Sequence, residues 1–168
     1  MVMALWNCLN WFRWRQVDLT VILWPPSNEY FEEITEILAR NSEILTVRTV
    51  NIREDSFRKF VTELYAIDYA DPKKIARKIQ RLEQPPHRIQ VLKIRLSNPK
   101  FMAQDTLNRV RCETIGDIKD EIRRKYKGLI KDYVYDIIIH STETDYQSVE
   151  FENLMLRYLN DSKLTYDR

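Results

Sequence analysis

Four apolar runs with strand character, interleaved with helical periodicity, are the feature that most limits what this chain can fold into. "VDLTVILW" (Val17–Trp24) is rich in branched residues and stops at Pro25 and Pro26, which cannot continue a ladder. Ser27 is placed to cap "NEYFEEITEILARN", where Phe31, Ile34, Ile37 and Leu38 recur at helical spacing behind an acidic start. "EILTVRTVNI" (Glu43–Ile52) alternates as a second strand. Two helical segments follow, "DSFRKFVTELYAI" and "DPKKIARKIQRL", the latter opening with Asp71 as cap and Pro72 in the first turn. "HRIQVLKIRL" is the third strand, with Ile89, Val91, Ile94 and Leu96 apolar, and "TIGDIKDEIRRKYKGL" sets Ile115, Ile118 and Ile122 on one helical face. "YVYDIIIH" (Tyr133–His140) is the fourth strand, and "YQSVEFENLMLRYL" the last helix, with Val149, Leu154 and Leu156 as core candidates.

This order predicts an α+β class chain, a ferredoxin-like βαββαβ sandwich with a mainly antiparallel sheet and two helices inserted between strands 2 and 3. The unbroken apolar run of "YDIIIH" implies burial on both sheet faces, so this strand is expected at or next to the sheet centre. With 168 residues and no repeat or linker, one domain over residues 17–160 suffices, flanked by residues 1–16 and a tail at 161–168.

Composition removes several function classes. Only two glycines occur, Gly116 and Gly128, where average usage would give about 12. A P-loop or dinucleotide fingerprint needs several, so phosphate binding here must rest on side chains, arginines above all. A net charge of +2 gives no bulk case for nucleic acid. The basic clusters Lys73–Arg81 and Arg123–Lys131 fall in helical patterns and read as solvated faces. Two cysteines, Cys8 and Cys112, are too few for a disulfide framework, which suits a reducing, cytoplasmic setting. "MVMALWNCLNWFRWRQ" holds three of the four tryptophans and no acidic residue. It is too short to span a membrane and lacks a basic signal-peptide start, so it packs on its own domain or anchors a protein partner.

His140 is the residue with most chemical promise. It ends a strand, where sites commonly form, and is followed by Ser141, Thr142, Glu143 and Thr144. A neutral imidazole there could serve as nucleophile or general base, or simply close the strand. His87, the second histidine, sits beside a Pro-Pro pair, and no metal-binding spacing exists.

"YDIIIHSTETD" resembles the "NIIHGSDS" segment of nucleoside diphosphate kinases, whose histidine carries a phosphoryl group in transit. The element order is similar to that family across roughly residues 17–160, including the inserted helical pair. "ELYAIDYADP" (Glu63–Pro72) is similar to the family's "EHYVDLKDRP", which puts Tyr65 at its nucleotide-site tyrosine. "RVRCETIGD" (Arg109–Asp117) resembles "GRVMLGETNP", which makes Thr114 the phosphate-contacting threonine and Arg109 or Arg111 the preceding arginine. Arg123 and Arg124 lie near the family's later arginine. The glutamate that orients the histidine falls at Phe151, flanked by Glu150 and Glu152. Trp24 stands where the family has a phosphate-reaching lysine, Ile137 replaces its asparagine beside Asp136, and Ser141 replaces its glycine.

The resemblance implies a nucleotide-dependent phosphotransferase in which His140 is the catalytic phosphoryl carrier, with Tyr65, Arg109, Arg111, Thr114, Arg123 and Arg124 binding nucleotide. Glu150 or Glu152 would orient the ring, Mg²⁺ would accompany ATP, and a homo-oligomer would be in keeping. The alternative is a non-catalytic nucleotide- or protein-binding module on the same fold.

Overall fold

The structure, a computed structural model, describes residues 16–68, 72–104, 109–134 and 136–160; the tryptophan-rich start through residue 15, Asp71 and the tail at 161–168 fall outside them. In chain order the elements are β1 (Gln16–Leu23), a 3-10 helix (Pro25–Tyr30), α1 (Phe31–Asn41), β2 (Glu43–Asn51), α2 (Glu54–Ile67) and α3 (Pro72–Leu82). Then come β3 (Arg88–Ser97), β4 (Phe101–Gln104), β5 (Arg109–Cys112), α4 (Glu113–Tyr126), β6 (Ile139–Ser141) and α5 (Asp145–Asn160). β2, β3, β1 and β6 form one sheet in that order, antiparallel throughout, while β4 and β5 pair separately. The ferredoxin-like order and the helical pair inserted between β2 and β3 stand as the sequence implied.

The two faces of the sheet differ sharply. Residues opposed in an antiparallel pair share a face, so Val17, Leu19 and Val21 lie beside Leu96, Ile94 and Leu92. All six are at most 1% exposed. α1 and α4 cover this face: Thr35 of α1 donates to Gln90 of β3 (2.9 Å), and Tyr126 of α4 donates to Glu33 of α1 (2.9 Å). Each buried branched side chain contributes about 1.5–3 kcal/mol. The second face carries Asp18, Thr20 and Ile22 of β1, with His140 of β6 opposite Ile22. α2 and α5 lie over it.

The last strand differs from expectation. β6 is an edge strand of three residues rather than a central strand from Tyr133. The left-handed backbone at Asp132 (φ 52°) and Asp136 (φ 59°) breaks the extended chain ahead of it. Ile137, Ile138 and Ile139 are nonetheless fully buried, because other elements fold over the edge. Trp24 N and Ser27 Oγ both donate to Ile138 O, and Arg123 of α4 donates to Ile139 O. An apolar run thus reported coverage by helices, not flanking strands.

Three smaller readings also shift. Ser27 does not cap α1: it is wholly buried and its hydroxyl donates to Trp24 O (2.9 Å) and Ile138 O (3.2 Å). On α5, Leu154 is buried, but Val149 and Leu156 are exposed, and the inward face is Ser148, Phe151, Met155 and Tyr158. The β4–β5 hairpin occupies a stretch whose sequence shows no alternation long enough to announce it.

Candidate functional site

His140 sits under the C-terminal end of α2. Its Nε2 lies 3.1 Å from Asp68 Oδ2, and its ring meets Tyr65 edge-on with centroids 5.0 Å apart. Tyr65 and Asp68 are three residues apart, one in the last turn of α2 and one at its C-cap, so the helix presents both to one spot. A carboxylate accepts only, so in the neutral ring the proton belongs on Nε2, an assignment made from the hydrogen-bond network. Nδ1 then bears the lone pair, and no described residue takes it. The imidazole side chain is 13% exposed, fixed yet reachable.

A relay of polar side chains holds Asp68 in turn. Gln147 Nε2 donates to Asp68 Oδ1 (3.4 Å), and Gln147 Oε1 accepts from the backbone of Glu143 (2.7 Å). Glu143 accepts from Lys119 Nζ (2.7 Å) and from Cys112 N (2.9 Å), joining the loop after β6 to the start of α4. Each acceptor in this chain is matched by a donor, which is what buried polar groups require.

The other side of Tyr65 is different, because the Trp24 indole and the Tyr65 hydroxyl are buried there without well-formed hydrogen bonds. Trp24 is fully buried and its ring stacks near Tyr65 at 6.1 Å, yet its Nε1 has no hydrogen-bond partner. The Tyr65 hydroxyl is buried without a hydrogen-bond partner as well, whereas Arg123 Nε lies 3.5 Å from Asp136 Oδ1. Lys78 of α3 holds its Nζ 4.6 Å from the Tyr65 ring centroid and is only 9% exposed. Burial lowers the Lys78 amine from 10.5 to about 8, although Asp136 and Asp68 work the other way. Burial, then the Asp68 charge, pushes the Tyr65 hydroxyl well above its ordinary value, while the Trp24 indole N–H, acting on that hydroxyl as a donor short of ideal geometry, and the Arg123 charge oppose the rise. An unsatisfied buried donor costs about 1–3 kcal/mol, so two side by side are unusual in a folded chain.

Of the residues singled out from sequence, the structure brings Tyr65 and Arg123 to His140. Arg123 donates to Ile139 O (3.4 Å) and pairs with Asp120 (3.2 Å) and Asp136 (3.5 Å). Arg123 and Arg124 also line an open cleft of about 670 Å³ with Lys127, Tyr133 and Asp136. Arg111 is exposed, with its guanidinium laid against Gly116 at the start of α4. The Thr114 hydroxyl is occupied in accepting from Lys100 N (2.9 Å). The side chain of Arg109 is not among those described. Glu152 turns to Lys93 (2.6 Å) and Glu150 is exposed, and the carboxylate that lies at the imidazole is that of Asp68 (3.1 Å). Both glutamates point away because the inward face of α5 is set by Phe151 and its neighbours.

His87 is structural: its ring stacks on Phe57 at 4.5 Å and its Nε2 lies 2.7 Å from Glu83 O. Among the described residues no group of three or more His, Cys, Asp or Glu side chains could hold a metal ion. No described helix is long and apolar enough to cross a membrane.

No family model matches the sequence, and no curated protein sequence matches it either. Solved structures do match. A nucleoside diphosphate kinase from Aquifex aeolicus superposes with a TM-score of 0.51 at 8% identity, covering 83% of this chain and 94% of that one. A nucleoside diphosphate kinase family protein from Babesia bovis aligns at a TM-score of 0.47 and 11% identity, over 90% of this chain and 95% of that one. The first of these agrees with the fold that the resemblance around His140 implied.

Proposed function

We propose that this chain is a divergent nucleotide-dependent phosphotransferase of nucleoside diphosphate kinase type, with His140 as its covalent phosphoryl carrier. The observation that carries the reading is the Asp68–His140 pair at 3.1 Å, which fixes the ring by Nε2 and leaves the lone pair to Nδ1. Nδ1 attacks the terminal phosphorus of a magnesium-bound nucleoside triphosphate. The P–N bond forms as the bond to the bridging oxygen breaks, and the diphosphate leaves with that oxygen. A second nucleoside diphosphate then takes the phosphoryl group back, restoring the imidazole. Asp68 stabilises the positive charge that develops on the ring, and Arg123 stands nearest to offset charge on the phosphoryl oxygens.

A specific observation favours a second reading, a binding module without catalysis. Lys119 and Arg123 are already paired with Glu143, Asp120 and Asp136, and Trp24 stands where the resemblance expects a lysine. Incubation with magnesium and ATP labelled at the terminal phosphate separates the two. Acid-labile, base-stable label that His140→Gln abolishes supports the enzyme; an unlabelled wild-type protein supports the module.

A further inference from the structure

On the second face of the sheet, α5 packs against β1, and between this helix and the β2–β3 half of the face lies a cavity of about 340 Å³. Its apolar lining is Val50 and Val91 from the sheet with Phe151, Met155 and Leu156 from α5. Two polar groups separate it from a packing gap. Thr20 lines the cavity from β1 and is only 3% exposed, yet its hydroxyl has no hydrogen-bond partner. Its backbone is fully engaged with Thr142, as donor to Oγ1 (2.9 Å) and as acceptor from N (2.9 Å), so the unmet capacity belongs to the side chain alone. A buried hydroxyl without a partner costs about 1–3 kcal/mol, which a ligand atom can offset. The second group is Arg48, which lines the same cavity from the exposed edge strand and has no ion pair or hydrogen bond among the described residues.

Charge and register then set the ligand. Lys93 in the lining is neutralised by Glu152 (2.6 Å), which leaves Arg48 as the uncompensated charge of the cavity. Arg48 stands opposite Val91, and Thr20 opposite Lys93, so the two polar groups lie two strands and one side-chain row apart. Strand spacing and rise put their Cα atoms about 12 Å from each other. An extended octanoate chain is of this order. We propose that this cavity binds a small amphipathic carboxylic acid, its carboxylate at Arg48, its apolar chain against Val91, Phe151 and Met155, and a hydrogen-bonding atom at its far end on the Thr20 hydroxyl. The site uses the β2–β3 half of the sheet, away from β6, and stands whether or not the chain transfers phosphoryl groups.

Methyl-resolved NMR titration of the full chain with butanoate, hexanoate, octanoate, octylammonium and the ω-hydroxy derivative of octanoate tests this. Affinity for the acids rises about threefold to fourfold per added methylene as the chain enters the cavity, and the shifted methyl groups are those of Val50, Val91 and Met155. Octylammonium binds at least about fivefold more weakly than octanoate, and Arg48→Gln weakens octanoate by about fivefold, the scale of an exposed ion pair. Arg48 is on the surface, so its replacement leaves the fold intact. Thr20→Val moves the preference between octanoate and its ω-hydroxy derivative toward octanoate by about fivefold. Affinity without chain-length dependence, shifts confined to other methyl groups, or equal binding of octylammonium and octanoate overturns the site. So does a concentration-dependent dimer that excludes octanoate, which would assign the groove to a second copy of the chain.

Discussion

Replacing Lys78 with methionine should stabilise this protein at neutral pH, against the usual direction of a core substitution. The amine falls from 10.5 to about 8 on folding, and at about 1.4 kcal/mol per unit this corresponds to roughly 3 kcal/mol of strain from a buried charge. Below pH 8 folded and unfolded chains both hold the proton, so the folded state bears the whole penalty. Between pH 8 and 10.5 the unfolded chain holds a proton that the folded chain lacks, so stability rises with pH. Above 10.5 the penalty is gone. Methionine keeps an unbranched chain of similar length and removes the charge, at the loss of a cation–π contact worth about 0.5–2 kcal/mol. The net expectation is a gain of about 1–2.5 kcal/mol at pH 7. Urea unfolding of both proteins at steps from about pH 7 to about pH 10.5 reads it, since the difference between the two curves cancels every other titrating group. The curves should converge and cross as pH rises. Parallel curves would refute the reasoning, because they would mean that Lys78 is no more strained in the folded chain than in the unfolded one.

Three further outcomes follow from other parts of the molecule. Leu154→Ala should cost about 2–5 kcal/mol and Leu156→Ala within about 0.5 kcal/mol in urea unfolding, since the first is buried and the second exposed; equal losses would mean α5 is rotated. Ser148→Ala should cost about 1–3 kcal/mol, because the hydroxyl bonds Thr142 Oγ1 (2.7 Å), accepts from Thr20 N (3.1 Å) and donates to Asp18 O (3.1 Å) in a buried cluster. Asp18→Asn should flatten the acid side of the stability curve: the hydrogen bond from Arg95 holds the Asp18 carboxyl below its ordinary 3.8, so its contribution is present above that value and is lost as pH falls through the lower folded one. Thermal melts of both proteins across the acid range check it, and an unchanged acid limb would count against the pair.

How far the sequence foretold this depends on which residues carried the information. Periodicity placed β1, β2, β3 and the five helices because their apolar positions recur along one strand face or one helix stripe. It misplaced β6, since three consecutive isoleucines give the same signal whether strands or helices cover them. The order of split βαβ units itself puts the fourth strand at an edge, and the two left-handed aspartates shorten it. That Tyr65, Arg123 and His140 lie together was legible from the resemblance, through two separate stretches and one positional match. Asp68 was not, although its position three residues beyond Tyr65 puts both on one helix face. Lys78 carried a signal of its own: it shares the apolar stripe of Ile75, Ile79 and Leu82, where a solvated lysine does not belong. Lys119 does the same between Ile115 and Ile122. A charged residue on a buried stripe was the overlooked sign of a buried amine, and a run of lysines and arginines in the surrounding sequence concealed it.

The most direct test of the account is mass spectrometry of the protein after brief incubation with magnesium and ATP, followed by digestion under alkaline conditions that preserve phosphohistidine. The expected result is one added phosphoryl group on the peptide containing His140, discharged when a nucleoside diphosphate is added and absent from His140→Gln. Asp68→Asn should carry the group at a reduced rate with its fold unchanged. An unmodified His140 peptide from a folded, nucleotide-saturated protein, or a phosphoryl group on a neighbouring hydroxyl such as Ser141, would contradict it.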